Sequence, residues 1–186
     1  MKGIIILEGA DASGKSTLAN KLIEKNKGGI YIHATYRFKD KMPIYHAALL
    51  RKALKLSKNN LVIIDRLHIS EYIYAKVFRK GTKWPEYTKM FNSFCRYMNI
   101  PIILCVPENI KRGKIWFEKS RNERIEMYNN IDKIIEEYFI YADKHKFDKN
   151  IILYNRDYAE AYQEDYINYI IKLLKFKSGE INNEYQ

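Results

Sequence analysis

Two cysteines in 186 residues are too few for a disulfide framework. Cys105 lies in the apolar run Ile102–Val106 and Cys95 in a stretch of helical period, so both read as buried, reduced thiols of a cytoplasmic protein rather than as metal ligands or nucleophiles. Glycine and proline are also sparse, at eight and four. With no Gly/Pro/Ser linker, repeat or low-complexity tract, the chain reads as one domain over residues 1–186. A chain of this length buries roughly 70% of its unfolded surface, enough for a core without metal or disulfide. Long hydrophobic runs are missing as well: the longest near the N-terminus is Ile4 to Leu7, too short for a signal sequence or a membrane span. Acidic residues are in deficit, 22 against 33 Lys+Arg for a formal charge of +11. That surplus asks for an anionic partner, but the cations are spread along the chain and suit small phosphates as well as nucleic acid.

What is present is an alternation of strand-length apolar segments with longer helical patterns, the signature of βα units in a parallel sheet. Strands are expected at Gly3 to Glu8, Gly29 to Ala34, Leu61 to Asp65, Ile102 to Val106 and Ile151 to Tyr154. The first and third are continuously apolar, as strands covered on both faces are. Helices are expected at residues 15–26, 43–58, 70–79, 85–99, 125–145 and 158–176. Between the fourth strand and the fifth helix, Glu108 to Arg124 carries Lys111, Arg112, Lys114, Lys119, Arg121 and Arg124 and reads as a cationic flap. Residues 177–186 are polar and read as a frayed tail.

The chemistry is concentrated in Gly9-Ala10-Asp11-Ala12-Ser13-Gly14-Lys15-Ser16, which satisfies G-x-x-x-x-G-K-[ST] between a buried strand and a helix. The glycines let backbone amides turn inward around phosphate oxygens, Lys15 reaches the β- and γ-phosphates, and the Ser16 hydroxyl is placed for Mg²⁺. Asp65-Arg66-Leu67-His68-Ile69-Ser70 ends the third strand. A carboxylate there serves the metal across from Ser16, and the arginine beside it grips a second phosphate.

Residues 7–17, Leu-Glu-Gly-Ala-Asp-Ala-Ser-Gly-Lys-Ser-Thr, resemble the E-G-x-D-x-x-G-K-[ST]-T loop of thymidylate kinases. Asp65-Arg66-x-x-x-Ser70 resembles their D-R-x-x-x-S segment. The resemblance implies an α/β P-loop NTPase fold, with a five-stranded parallel sheet flanked by helices and a lid near residues 108–125. It implies an ATP-dependent, Mg²⁺-dependent nucleoside monophosphate kinase, with Gly9, Ala12, Ser13, Gly14, Lys15, Ser16 and Thr17 on ATP and with Ser16 and Asp65 at the metal. Asp11, Arg66, Ser70 and Tyr74 fall on the acceptor side, and Arg112 and Arg121 are the lid candidates for the transferring phosphoryl group. Tyr36, Arg37 and Phe38 supply the aromatic face and cation that a base pocket needs. Thymidylate kinases often pair through helices, which puts a homodimer among the expectations.

The residues also separate neighbouring reactions. A monophosphate acceptor is already an anion and needs positioning more than a base. A nucleoside hydroxyl must lose a proton, yet after the second strand Tyr31-Ile32-His33-Ala34-Thr35-Tyr36-Arg37 offers no carboxylate before Asp40. The favoured reading is therefore phosphoryl transfer from ATP to a dNMP, dTMP foremost, giving dNDP and ADP. A deoxynucleoside kinase is the alternative. A basic P-loop protein acting on nucleic acid is a distant third, because no stacking platform with interleaved cations is present. Residues 36–56 depart from the family's acceptor-helix sequence, which leaves the base open.

Overall fold

The structure, a computed structural model, describes residues 1–35, 41–81, 85–120 and 125–177. Its strands are β1 (Gly3–Gly9), β2 (Ile30–His33), β3 (Leu61–Asp65), β4 (Ile102–Val106) and β5 (Ile151–Asn155). All pair in parallel, in the order β2-β3-β1-β4-β5. The helices are α1 (Lys15–Lys25), α2 (Met42–Leu56), α3 (His68–Arg79), α4 (Pro85–Tyr97), α5 (Ile110–Lys119), α6 (Ile125–Tyr128), α7 (Ile131–Lys144) and α8 (Arg156–Lys177). This is the P-loop NTPase architecture, and among the described residues no helix is long and apolar enough to cross a membrane.

The period of two along the central strands sorts the core into two layers. Ile4 and Ile6 of β1, Val62 and Ile64 of β3 and Ile102 and Leu104 of β4 meet α2, α3, α4 and α7 through Leu50, Ile69, Phe91 and Ile134. Ile5, Leu7, Leu61, Ile63 and Ile103 face the other way, onto Leu18 and Leu22 of α1 and Ile167 and Ile170 of α8. Both cysteines are buried and unbonded. Because the chain leaves β1 and returns on both of its sides, first to β3 and later to β4, the carboxyl ends of these three strands border one crevice.

Three expectations change. The helix expected from Ser70 begins at His68, because the Glu8 carboxylate accepts from the backbone N–H groups of Leu67, Ile69 and Ser70 and so starts the turn early. The helix expected over residues 125–145 is two helices, α6 and α7, separated by a turn at Asn129 and Asn130. The cationic flap is helical over Ile110–Lys119: Asn109 caps it by accepting from the Arg112 N–H, and Trp116 and Phe117 are buried. The spacing of Gly113, Trp116 and Phe117 on one face anchors it to the core. Residues 121–124 and 178–186 lie outside the described residues, and with them Arg121, Arg124 and nearly all of the tail.

Candidate active site

β1 delivers its last residues into a loop that only glycine can start. At Gly9 φ is +152°, and a Cβ would stand 2.3 Å from the carbonyl oxygen of Cys105 on the adjacent strand. At the other end of the loop Gly14 has φ +87°, a conformation that side chains disfavour. α1 starts immediately after it with no side-chain cap, so among the described residues no side chain fills its first amides or offsets its positive dipole end. α3 makes the opposite arrangement: its amides are filled by Glu8, whose carboxylate also accepts from the Ser70 hydroxyl. Of two helix N-termini beside one loop, one is neutralised within the protein and the other is left for an anion.

The loop opens onto a cleft of about 410 Å³ bordered by residues 11–17, His33, Asp65, Arg66, Trp116, Lys119, Ser120 and Arg156. Lys15, Arg66, Lys119 and Arg156 supply four cations against the carboxylates of Asp11 and Asp65, an excess suited to a polyphosphate. Lys15 is buried and donates to the carbonyls of Ala10 (2.6 Å) and Gly9 (3.1 Å). Burial, and next the Arg66 charge, hold its pKa below 10.5.

Arg66 stands beside Lys15, on the same Gly9 carbonyl. Its guanidinium donates to Gly9 O (3.0 Å), to Ser70 Oγ (3.4 Å) and to Asp11, and lies 5.0 Å from the centre of the Tyr74 ring. Tyr74 donates to the other oxygen of Asp11 at 2.7 Å. Burial raises the Asp11 carboxyl, but the Arg66 and Lys15 charges and the Tyr74 bond outweigh it and keep the pKa below 3.8. The Arg66 backbone has φ +69°, a left-handed conformation that is costly for a residue with a Cβ and is found disproportionately at functional sites. Its N–H donates to Leu7 O at 2.8 Å, which fixes it there.

Asp65 is buried. Its Oδ2 accepts from Tyr31 and lies 3.3 Å from His33 Nδ1, while Oδ1 has no partner among the described residues. Ser16 is exposed at the cleft. One bare buried carboxylate oxygen and one exposed hydroxyl suit Mg²⁺, which takes one or two protein ligands and completes its shell with phosphate and water. Among the described residues no cluster of three His, Cys, Asp or Glu offers an all-protein metal cage.

The folded chain thus brings together residues 9–17, Asp65, Arg66 and Tyr74. Ser70 is buried between Glu8 and Tyr138, 2.8 Å from the Tyr138 hydroxyl, and supports Arg66 from behind rather than bordering the cleft. Arg112 also stays off the cleft, since its Nε donates to Asp157 at 2.8 Å. Tyr36, Arg37, Phe38 and Arg121 lie outside the described residues. Arg156 and Trp116 are among the cleft residues that escaped sequence reasoning. Arg156 opens α8, donates to Ala12 O (3.2 Å), packs its stem over Gly14 and sits 4.6 Å from the centre of the Trp116 ring. Neither residue belongs to a motif; the one available signal was an arginine directly after the fifth strand.

Sheet and loop together give this chain the P-loop NTPase fold. No family model matches it. It is 26% identical over 180 residues to the probable thymidylate kinase 1 of Saccharolobus solfataricus, covering 82% of this chain and 94% of that one. Among solved structures it resembles the YorR protein of Bacillus subtilis in complex with phosphorylated GDP, with TM-score 0.69, 22% identity and coverage of 95% and 98%. It also resembles the deoxyadenosine kinase of M. mycoides solved with the products dCMP and a flexible dCDP, with TM-score 0.58, 18% identity and coverage of 93% and 99%. The chain is thus similar in sequence to a probable thymidylate kinase and in fold to nucleotide and nucleoside kinases.

Proposed function

We propose that this chain is an ATP-dependent nucleotide kinase that phosphorylates a deoxynucleoside monophosphate, with dTMP the leading acceptor. The observation that carries the reading is the Arg66–Asp11 pair set beside Lys15 in one cleft, with both cations on the Gly9 carbonyl. One cation is seated for the phosphates that give and another for the phosphate that receives, and the carboxylate between them holds the second in aim. In the reaction the bond from the γ-phosphorus to the ADP oxygen breaks and a bond to an oxygen of the acceptor phosphate forms. That oxygen is already unprotonated, so the chain's task is orientation and charge neutralisation. Lys15 and the open amides of α1 hold the β- and γ-phosphates, Arg66 brings the acceptor oxygen into line, and Asp11 orients Arg66. Ser16 and Asp65 would hold Mg²⁺, which when bound supplies further neutralisation of the ATP oxygens.

A deoxynucleoside acceptor is the second reading, favoured by the contact between His33 and Asp65 at the cleft edge, a His–carboxylate pair of the kind that removes a hydroxyl proton. The likeness to the M. mycoides enzyme supports it, and the guanine nucleotide on YorR adds dGMP to the acceptors worth assaying. Steady-state assays with purified protein, ATP and Mg²⁺ across the four dNMPs and the four deoxynucleosides decide between the two. Diphosphate formed from dNMPs, with dTMP giving the highest kcat/KM, is expected. Monophosphate formed from nucleosides, with none of the dNMPs consumed, would install the second reading.

A further inference from the structure

The end of β2 is the part of the cleft to which the proposed transfer assigns no task. Tyr31 and His33 are two residues apart on a strand, so their side chains leave the same face of the sheet. Register pairs His33 with Asp65 and Tyr31 with Ile63, and both side chains reach the Asp65 carboxylate. They converge on one atom: the Tyr31 hydroxyl donates to Oδ2, His33 Nδ1 lies 3.3 Å from Oδ2, and Oδ1 is left buried without a partner among the described residues. The Ser16 hydroxyl approaches the same phenol. The phenolic oxygen therefore stands between the two groups assigned to the metal. Tyr31 is 40% exposed, so filling the core does not explain an aromatic ring turned onto a buried aspartate.

We propose that Tyr31 is a positioning residue for the Mg²⁺ that accompanies ATP, fixing the Asp65 carboxylate through Oδ2 while Oδ1 keeps no partner among the described residues. The inference rests on the assignment of Ser16 and Asp65 to the metal. A carboxylate with one oxygen bonded has lost rotation about its Cβ–Cγ bond before the cation arrives, and outer partners of this kind typically carry about 10–100-fold in metal affinity. His33 is the weaker support, because it is half-exposed and its contact is longer.

The test is calorimetric titration of a non-hydrolysable ATP analogue into wild-type protein, Tyr31→Phe, His33→Ala and Asp65→Asn, each in EDTA and over a series of free Mg²⁺ concentrations. Tyr31→Phe is expected to bind the metal-free analogue within about twofold of wild type, which also shows that it is folded. It is expected to need roughly tenfold more free Mg²⁺ for the same tightening, with His33→Ala shifted less. An unchanged Mg²⁺ midpoint in Tyr31→Phe would overturn the inference and leave the kinase reading intact. A lower midpoint would overturn it as well, by showing that the hydroxyl obstructs the cation. If wild type shows no Mg²⁺-dependent tightening, or Asp65→Asn retains it, the metal assignment fails and takes this inference with it.

Discussion

Arg66 concentrates the chemistry of the cleft in one side chain, because its strained backbone, its bond to Gly9 O and its pairing with Asp11 all serve to aim a guanidinium. Arg66→Ala removes a charge-assisted contact to the acceptor phosphate and leaves Asp11 with Tyr74 alone, so kcat/KM for the acceptor should fall by about 10²-fold or more while the KM for ATP changes little. Lys15→Ala should abolish turnover and weaken ATP as well; separate titrations of the two substrates check both variants. Glu8 provides a residue-level pH test. Burial raises its pKa to about 6 from 4.5, even though the Ser70 hydroxyl, the Arg66 charge and backbone amides act in the opposite sense. The folded state therefore holds a proton that the unfolded chain releases between pH 4.5 and 6, so this residue's contribution to stability is present at low pH and lost as pH rises. Relative to Glu8→Gln, wild type should lose about 2 kcal/mol of unfolding free energy between pH 4 and 7, measured by urea titration at each pH.

At the scale of elements, α5 and the start of α8 form the wall of the cleft that no motif announces. Asn109 capping and the burial of Trp116 and Phe117 make α5 a fixed helix, and Trp116 provides the surface over which Arg156 lies. Arg156 in turn covers Gly14 and holds Ala12 O, which places it on the glycine loop, the donor half of the cleft. Arg156→Ala should raise the KM for ATP by about tenfold, the equivalent of one lost contact of roughly 1.4 kcal/mol, and leave the acceptor KM unchanged. Equal effects on both substrates would place this wall between the two halves rather than on one. α3 shows the same logic from inside: Glu8 starts the helix two residues early and thereby sets the position of Ser70 behind Arg66.

For the whole molecule, four buried titrating groups act in opposition. Burial lowers His46 to about 3 and His68 to about 4 from 6.5, and raises Glu8 to about 6 and Glu71 to about 7 from 4.5. Between pH 4.5 and 6 the unfolded chain binds about two extra protons at the histidines, while the folded chain binds about two extra at the glutamates, so their slopes cancel. Below pH 4.5 the glutamates are protonated in both states, and of these four groups only the histidines still count; Asp11, held below 3.8, acts in the same sense. Stability should therefore stay level down to about pH 4.5 and then fall by about 3 kcal/mol by pH 3; a steady decline from pH 6 to 4.5 in urea-unfolding midpoints would contradict this balance.

The five strands, the glycine turn and the Asp65-Arg66 pair were legible in the amino-acid order because each depends on local chemistry: continuous apolar runs for strands covered on both faces, Gly9 and Gly14 for backbone shapes that other residues resist, and an acid and a base placed where a strand ends. Which cations join Lys15 and Arg66 in the cleft was not legible. Arg112 and Arg156 are both arginines near the start of a helix, yet one is held by Asp157 outside the cleft and the other lies over the loop from a distance of 144 residues along the chain. Tyr31 likewise finds Asp65 only because β2 and β3 pair in this register. Side-chain partners that are remote in sequence are chosen by strand order and helix packing, and those follow from burying the whole core at once rather than from any local run of residues.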